Sequence, residues 1–169
     1  MPIGVLFVCS ANICRSPMAK SVFRSMVRRA ELERAFDVDS AGTIEGHDGE
    51  RAAPLAREIA GRRGYDLSDH RSRALTSADF ERFTLPLAMD RSHLATMRWM
   101  APRTLSDRPQ LFLKFAPQFG VLDVADPFGG PPRGYEDALD LIEAGCKGLL
   151  EALRPLAEKA TSGRAPPTD

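Results

Sequence analysis

Val5-Leu6-Phe7-Val8-Cys9-Ser10-Ala11-Asn12-Ile13-Cys14-Arg15-Ser16-Pro17 is the stretch that decides the fold of this chain of 169 residues. Residues 5–8 are apolar, β-branched or aromatic, which predicts a short buried strand. Ser16 followed by Pro17 is typical of a helix N-cap and first helical residue. Apolar residues then recur at helical spacing, at Met18, Val22, Met26 and Val27. The stretch therefore predicts a strand, a loop and a helix running to about Ala30, with Cys9 and Arg15 in the loop.

This loop of residues 9–15, which we call the Cys9 loop, has the chemistry of an oxyanion site. Backbone N–H groups at a helix N-terminus converge on one point, where the helix dipole adds partial positive charge. Arg15 adds a planar, two-pronged donor. A cysteine in such a place is expected to be partly ionised and nucleophilic. Alone, a cysteine is more often a small buried hydrophobe and an arginine a solvated charge, but the spacing Cys-x5-Arg-Ser between strand and helix is far more specific.

Composition excludes several classes of function. The 23 Lys and Arg residues balance the 23 Asp and Glu residues, so no basic field indicates a nucleic-acid partner. No apolar run reaches membrane-spanning length, and the start lacks the basic region of a signal peptide. The three cysteines, an odd and small number, indicate a reducing, cytoplasmic location. A zinc site is disfavoured because Cys9 and Cys14 have no second close pair.

Further strands are predicted at residues 36–40, 83–89 and 111–115, with helices between them. Pro86 indicates an edge or a bulge in the third of these segments. Alternating strands and helices predict a single-domain α/β fold of three layers, a helix–sheet–helix sandwich. We expect this domain to span residues 1–159, with a disordered C-terminal tail at residues 160–169. The last helix is predicted to start near Tyr135, and we expect Cys146 to lie on its core side.

The Cys9 loop resembles the signature of the low-molecular-weight protein tyrosine phosphatases. Further matches follow in the family's order and at about its spacing. They are Asp39-Ser40-Ala41-Gly42-Thr43, His70-Arg71-Ser72-Arg73, Ala88-Met89-Asp90 and Asp126-Pro127-Phe128. The resemblance covers residues 3 to about 156. It implies a four-stranded parallel sheet of flavodoxin-like kind, the phosphotyrosine protein phosphatase I-like fold.

The resemblance also implies an activity: hydrolysis of phosphate monoesters, above all protein phosphotyrosine, through a phosphocysteine intermediate. Cys9 would be the nucleophile, Arg15 the phosphate clamp and Asp126 the general acid and base. Ser40 and His70 would support the loop. The expected partners are a phosphotyrosine protein or small aryl phosphate as substrate, with inorganic phosphate or another oxyanion in the loop, and no nucleic acid or membrane. No metal or other cofactor is required, because the arginine and the loop amides take its place.

Substrate contacts are expected along the loop and at its rim. The backbone amides of Ser10, Ala11, Asn12, Ile13 and Cys14 would bind the phosphate together with that of Arg15. For Ser16 two roles stay open, a hydrogen bond to the Cys9 sulfur and a helix cap, and both can hold. Asn12 suits a left-handed backbone position, whereas Ala11, where a glycine is common, would be strained at positive φ.

Two departures concern the aryl group of the substrate. Gly46 stands where many family members carry an aromatic residue that walls the site. Gly129 stands where some members carry a second aromatic residue. Phe128 is then the expected apolar wall.

Two other functions are compatible with parts of this pattern. One is an arsenate reductase-like thiol relay, which needs further cysteines after the third strand, and residues 75–110 contain none. The other is a non-catalytic phosphoprotein-binding module, which would not need Cys9, Arg15 and Asp126 together.

Overall fold

The computed structural model describes residues 1–163, in which four parallel strands form one sheet with α-helices on both sides. The strands are β1 (Ile3–Cys9), β2 (Phe36–Gly42), β3 (Leu85–Ala88) and β4 (Gln110–Leu111), in the order β2-β1-β3-β4. The α-helices are α1 (Arg15–Arg29), α2 (Pro54–Arg62), α3 (Asp79–Arg82), α4 (Arg91–Met100) and α5 (Pro132–Ser162). The predicted α/β class with a four-stranded parallel sheet is confirmed.

Strand β1 separates two apolar clusters, which is why all seven of its residues are buried. Val5 and Phe7 point into the larger cluster, together with residues of α1, α2 and α5. Leu6 and Val8 point into the smaller one, with Phe80 of α3 and Met97 of α4. Because successive side chains of a strand face opposite sides, this alternation fixes a three-layer arrangement.

The carboxyl ends of the central strands meet at one edge of the sheet. Cys9 pairs in register with Gly42, and Val8 pairs with Ala88. In open parallel sheets, ligands bind outside these ends. The residues that follow β1, β2 and β3 are therefore brought together, and the site lies there.

The segment predicted as a fourth strand at residues 111–115 is mostly not a strand. Only Gln110–Leu111 pair with β3, and Phe112–Phe115 form a 3₁₀ turn. The ladder stops because β3 ends at Ala88, and the turn packs against α5, where Gly148 leaves so little space that a Cβ would lie 1.9 Å from the Phe115 carbonyl oxygen. Pro86 pairs with Leu6 of β1 but lies outside the β4 ladder, so its missing N–H costs nothing there.

Three predicted helix boundaries were also wrong. Helix α1 begins at Arg15 with Cys14 at the N-cap position, so Ser16 is not the cap. Helix α5 begins at Pro132, before the predicted start near Tyr135, because proline suits the first helical turn. The same helix continues to Ser162, beyond the predicted start of the tail at residue 160, and residues 164–169 of that tail lie outside the described residues.

No helix within residues 1–163 combines the length and the apolar character needed to cross a membrane.

Candidate active site

The Cys9 loop leaves β1 at Cys9 and enters α1 at Arg15. Asn12 has a φ of 58°, the left-handed conformation expected of it, whereas Ala11 is outside that region and adds no strain. Within the described residues, no main-chain or side-chain acceptor takes a hydrogen bond from the N–H groups of residues 11–15. These donors, at the N-terminus of a 15-residue helix, are therefore free for an oxyanion.

The buried side chain of Asn12 holds the shape of the loop. Its Nδ2 donates to Ser16 Oγ at 2.7 Å and to Ser40 Oγ at 2.9 Å. Its Oδ1 accepts from the Arg73 amide at 3.1 Å. Its main-chain carbonyl lies 2.7 Å from Nε2 of the buried His70. Four residues from three segments of the chain thus converge on one asparagine, and Ser40 and His70 both lie against the loop.

His70 donates to this carbonyl as a neutral ring. Burial lowers the pKa of His70 to about 4, although the hydrogen bond to Asn12 works in the opposite direction. A neutral imidazole carries one N–H, and a carbonyl oxygen can only accept. The proton therefore resides on Nε2.

Ser16 lies directly beside the Cys9 sulfur, with its Oγ 2.9 Å from Sγ. Because Asn12 Nδ2 can only donate, Ser16 Oγ accepts from it and keeps its own hydrogen for another partner. When Cys9 is a thiolate, Sγ can only accept, and the Ser16 hydroxyl is then the donor of this contact. Of the two roles left open for Ser16, the structure shows the hydrogen bond to Cys9 rather than the helix cap.

The guanidinium of Arg15 is buried and held from the side. Its Nη1 donates to Asp90 Oδ2 at 3.0 Å and to the Val124 carbonyl at 2.9 Å. Its Nη2 makes a long contact of 3.4 Å to Ser10 Oγ. Partial burial would raise the pKa of Asp90, but hydrogen bonds from Ser92 and the His93 amide, with the nearby Arg15 charge, hold it below its usual range. Arg15 therefore faces a carboxylate that fixes its orientation.

A cavity of about 230 Å³ opens above the loop. Asp126 stands at its rim, with a half-exposed side chain and Oδ2 3.7 Å from Arg15 Nη2. The other oxygen, Oδ1, accepts from the Phe128 amide at 3.1 Å. Phe128 lines the same cavity and is 64% exposed. The remaining rim residues are Ile44 and His47, which sequence reasoning missed, whereas Gly46 is absent from the lining.

The other two cysteines have different surroundings. Cys14 is buried with its Sγ 3.7 Å from the Tyr135 hydroxyl, and burial raises the pKa of the Cys14 thiol to about 12. Cys146 is fully buried in α5, as predicted, with its sulfur against the Ala19 carbonyl. Among residues 1–163 there is no cluster of three or more His, Cys, Asp or Glu side chains able to hold a metal ion.

Sequence reasoning also missed the residues that hold Arg15. Asp90 was placed in the motif Ala88-Met89-Asp90 without a predicted contact to Arg15, and one of its oxygens caps α4 by accepting from the His93 amide. Its second oxygen reaches Arg15 across 75 positions of sequence. The available signal was its place directly after β3, at the same sheet edge as Cys9.

The fold and the site together define an α/β protein with an oxyanion loop built around a thiol. The model of the family "Low molecular weight phosphotyrosine protein phosphatase" matches residues 4–159. A low molecular weight protein-tyrosine-phosphatase of Streptomyces coelicolor is 40% identical over 161 residues, covering 94% of this chain and 98% of the relative.

Two solved structures are similar over nearly their whole length. The Entamoeba histolytica protein tyrosine phosphatase with Hepes in its active site has a TM-score of 0.87 and 30% identity, covering 90% of this chain and 97% of that one. The YwlE arginine phosphatase, in a cysteine-to-serine variant with a phosphorylated active-site serine, has a TM-score of 0.81 and 30% identity, covering 90% and 96%. The chain therefore belongs to the low molecular weight phosphotyrosine protein phosphatase family and is an enzyme of the protein-tyrosine-phosphatase class.

Proposed function

We propose that this chain hydrolyses protein phosphotyrosine and small aryl phosphates in the cytoplasm, through a phosphocysteine intermediate on Cys9. The observation that carries the proposal is a chain of hydrogen bonds that ends at the Cys9 sulfur. The Arg73 amide donates to Asn12 Oδ1, Asn12 Nδ2 donates to Ser16, and Ser16 is left to donate to the Cys9 sulfur. A sulfur that receives this hydrogen bond is stabilised as a thiolate, both before attack and when it leaves.

The phosphoryl group would be held from both sides. The free N–H groups of residues 11–15 bind its equatorial oxygens from below. The Arg15 fork, fixed by Asp90, binds them from the side. Because the charge of the transferring group must be stabilised throughout, donors that are held in place before the substrate arrives are the main source of acceleration. No step needs a metal ion.

Asp126 would handle the proton. It is the carboxylate on the rim of the cavity, within 3.7 Å of the guanidinium. In the first step it protonates the leaving phenolic oxygen as the P–O bond breaks. In the second step it takes a proton from the water that attacks the phosphocysteine, which restores the acid and releases phosphate.

Phe128 and Ile44 would provide the apolar contact for the aryl ring. The two solved relatives support this assignment of the site. One holds Hepes, which carries a sulfonate, in its active site. The other carries a phosphoryl group on the residue that replaces its active-site cysteine. The thiol-relay alternative is not favoured, since residues 75–110 contain no cysteine and Cys146 is fully buried in α5.

Replacement of Cys9 by serine tests the nucleophile. Cys9→Ser is expected to abolish turnover of para-nitrophenyl phosphate and to keep the affinity for tungstate, because the loop amides and Arg15 remain. Cys146→Ala, which removes a buried thiol outside the site, is the matched control and should retain the parent's kcat. A phosphorylated peptide containing Cys9 should be found by mass spectrometry after acid quenching of the parent. Undiminished turnover in Cys9→Ser would contradict the proposal.

A further inference from the structure

A buried histidine beside the Cys9 loop takes no part in the proposed transfer of the proton or of the phosphoryl group. His93 lies in the first turn of α4 and is 2% exposed. Its Nε2 is 2.9 Å from Ser10 Oγ, the side chain that directly follows the nucleophile in sequence. A polar ring is costly to bury unless its contacts repay the loss of water. The contacts of His93 run to Ser10 of the Cys9 loop and to Asp90, which holds Arg15.

Four side chains are linked in a closed cycle of contacts. Arg15 Nη2 contacts Ser10 Oγ at 3.4 Å, and Ser10 Oγ contacts His93 Nε2. His93 Nδ1 lies 3.1 Å from Asp90 Oδ1, although its alignment falls short of a good hydrogen bond. Asp90 Oδ2 accepts from Arg15 Nη1 and closes the cycle.

The chemistry of the four groups assigns a donor and an acceptor to each contact of the cycle. A guanidinium only donates, so Ser10 Oγ accepts from Arg15. A lone pair on His93 Nδ1 would be repelled by the carboxylate oxygen that it faces, so the imidazole proton belongs on Nδ1. Nε2 is then an acceptor, and it takes the hydrogen of the Ser10 hydroxyl. Burial lowers the pKa of His93 to about 4, which is consistent with one proton on the ring.

We propose that His93 is a positioning residue, which orients the Ser10 hydroxyl so that its oxygen receives Arg15 and thereby locks the guanidinium to the Cys9 loop. Without the acceptor on His93, the Ser10 hydroxyl is free to rotate its hydrogen towards Arg15. The guanidinium then loses a fixed contact on the side opposite Asp90. The inference rests on the proposed function, because Arg15 matters through its grip on the transferred phosphoryl group.

Three variants separate this role from simple packing. His93→Leu removes the acceptor and keeps apolar bulk, and Ser10→Ala removes the hydroxyl at a partly exposed position. His93→Gln restores an amide oxygen near the position of Nε2. We expect the first two to lower kcat/KM for para-nitrophenyl phosphate and to weaken tungstate binding, each by about tenfold. We expect His93→Gln to recover most of this loss.

The double variant Ser10→Ala/His93→Leu should have the same kcat/KM and tungstate Kd as the less active of the two single variants, because both changes break the same contact. Met97→Ala is the matched control, a buried residue of the same helix outside the site. It should lower the melting temperature and leave KM and the tungstate Kd unchanged, since unfolding lowers only the amount of active protein. Parent values of KM and Kd in His93→Leu and Ser10→Ala, or fully additive losses in the double variant, would overturn the proposal.

Tungstate binding, measured by calorimetry, is independent of turnover. If the parent binds tungstate but hydrolyses no phosphate ester, the proposed function fails and the His93 inference is decided by the Kd values alone. Nitrogen NMR of the ring adds a direct check: Nδ1 should carry the proton in the parent, and a proton on Nε2 would overturn the assigned direction.

Discussion

The shape of the Cys9 loop depends on a glycine in the neighbouring strand, which makes Gly42→Ala an informative perturbation. Gly42 is the buried last residue of β2 and pairs with Cys9. A Cβ added there would lie 2.5 Å from the Ser10 carbonyl oxygen, 3.0 Å from the Ala11 carbonyl carbon and 3.1 Å from the Asn12 nitrogen. All three atoms belong to the loop backbone, so no flexible side chain can move aside.

The size of the effect follows from these distances. Favourable non-bonded contact begins at about 3.5 Å, so the loop must retreat by roughly 1 Å. A misplacement of about 1 Å in a catalytic site can cost about 10²-fold in rate. Overpacking of this kind also costs about 1–3 kcal/mol of folding stability. We therefore expect Gly42→Ala to lower kcat/KM by about 100-fold while the protein stays folded.

The assay is hydrolysis of para-nitrophenyl phosphate, with tungstate affinity and melting temperature measured on the same samples. Gly61→Ala is the control, because Gly61 lies in α2 with nothing within 4 Å of an added Cβ. It should leave activity unchanged and raise stability slightly, as alanine favours a helix over glycine. Parent kcat/KM and parent tungstate affinity in a folded Gly42→Ala variant would refute the argument that this contact sets the loop.

Two further predictions concern protons. Asp126→Asn should lower kcat/KM by about 10²–10⁴-fold on phosphotyrosine, a poor leaving group, and much less on activated aryl phosphates. The slope of log kcat/KM against leaving-group pKa measures this, and equal slopes in parent and variant would assign the proton to another residue. Asp123→Asn is the control, because Asp123 pairs with Arg91 and does not line the cavity. Burial lowers the pKa of His70 to about 4, so the unfolded chain takes up the extra proton first and folding stability falls as pH drops from about 6.5 towards 4. His70→Gln should therefore lose less melting temperature over this pH range than the control His47→Gln. Parallel plots of melting temperature against pH for the two variants would contradict the prediction.

Local pattern was enough to predict β1 and the loop that follows it. The apolar run of β1 is continuous because both of its faces are buried, and Cys9 and Arg15 belong to the same short stretch. The family resemblance implied that Ser40 supports the loop, and Ser40 does contact Asn12.

Contacts that depend on packing between distant segments could not be predicted in the same way. Nothing near residues 112–115 shows that they leave the sheet, because their conformation depends on the space left by Gly145 and Gly148 of α5. The partnership of Arg15 with Asp90 and Val124 spans 75 and 109 positions. The sequence left two roles open for Ser16, and packing decides between them, because its hydroxyl contacts the buried sulfur of Cys9 and Cys14 takes the N-cap position.

The way in which Asn12 is held has a consequence for how such a site can change over time. Every bond that shapes the floor of the cavity runs to the protein itself. The floor is thus independent of which molecule enters. By contrast, the rim residues Ile44 and Phe128 are exposed and carry little of the core, and substitutions at such positions usually alter stability by less than about 0.5 kcal/mol. A lineage can therefore acquire new substrates by altering these two rim positions, one residue at a time, while Asp126 and the residues of the floor are inherited intact.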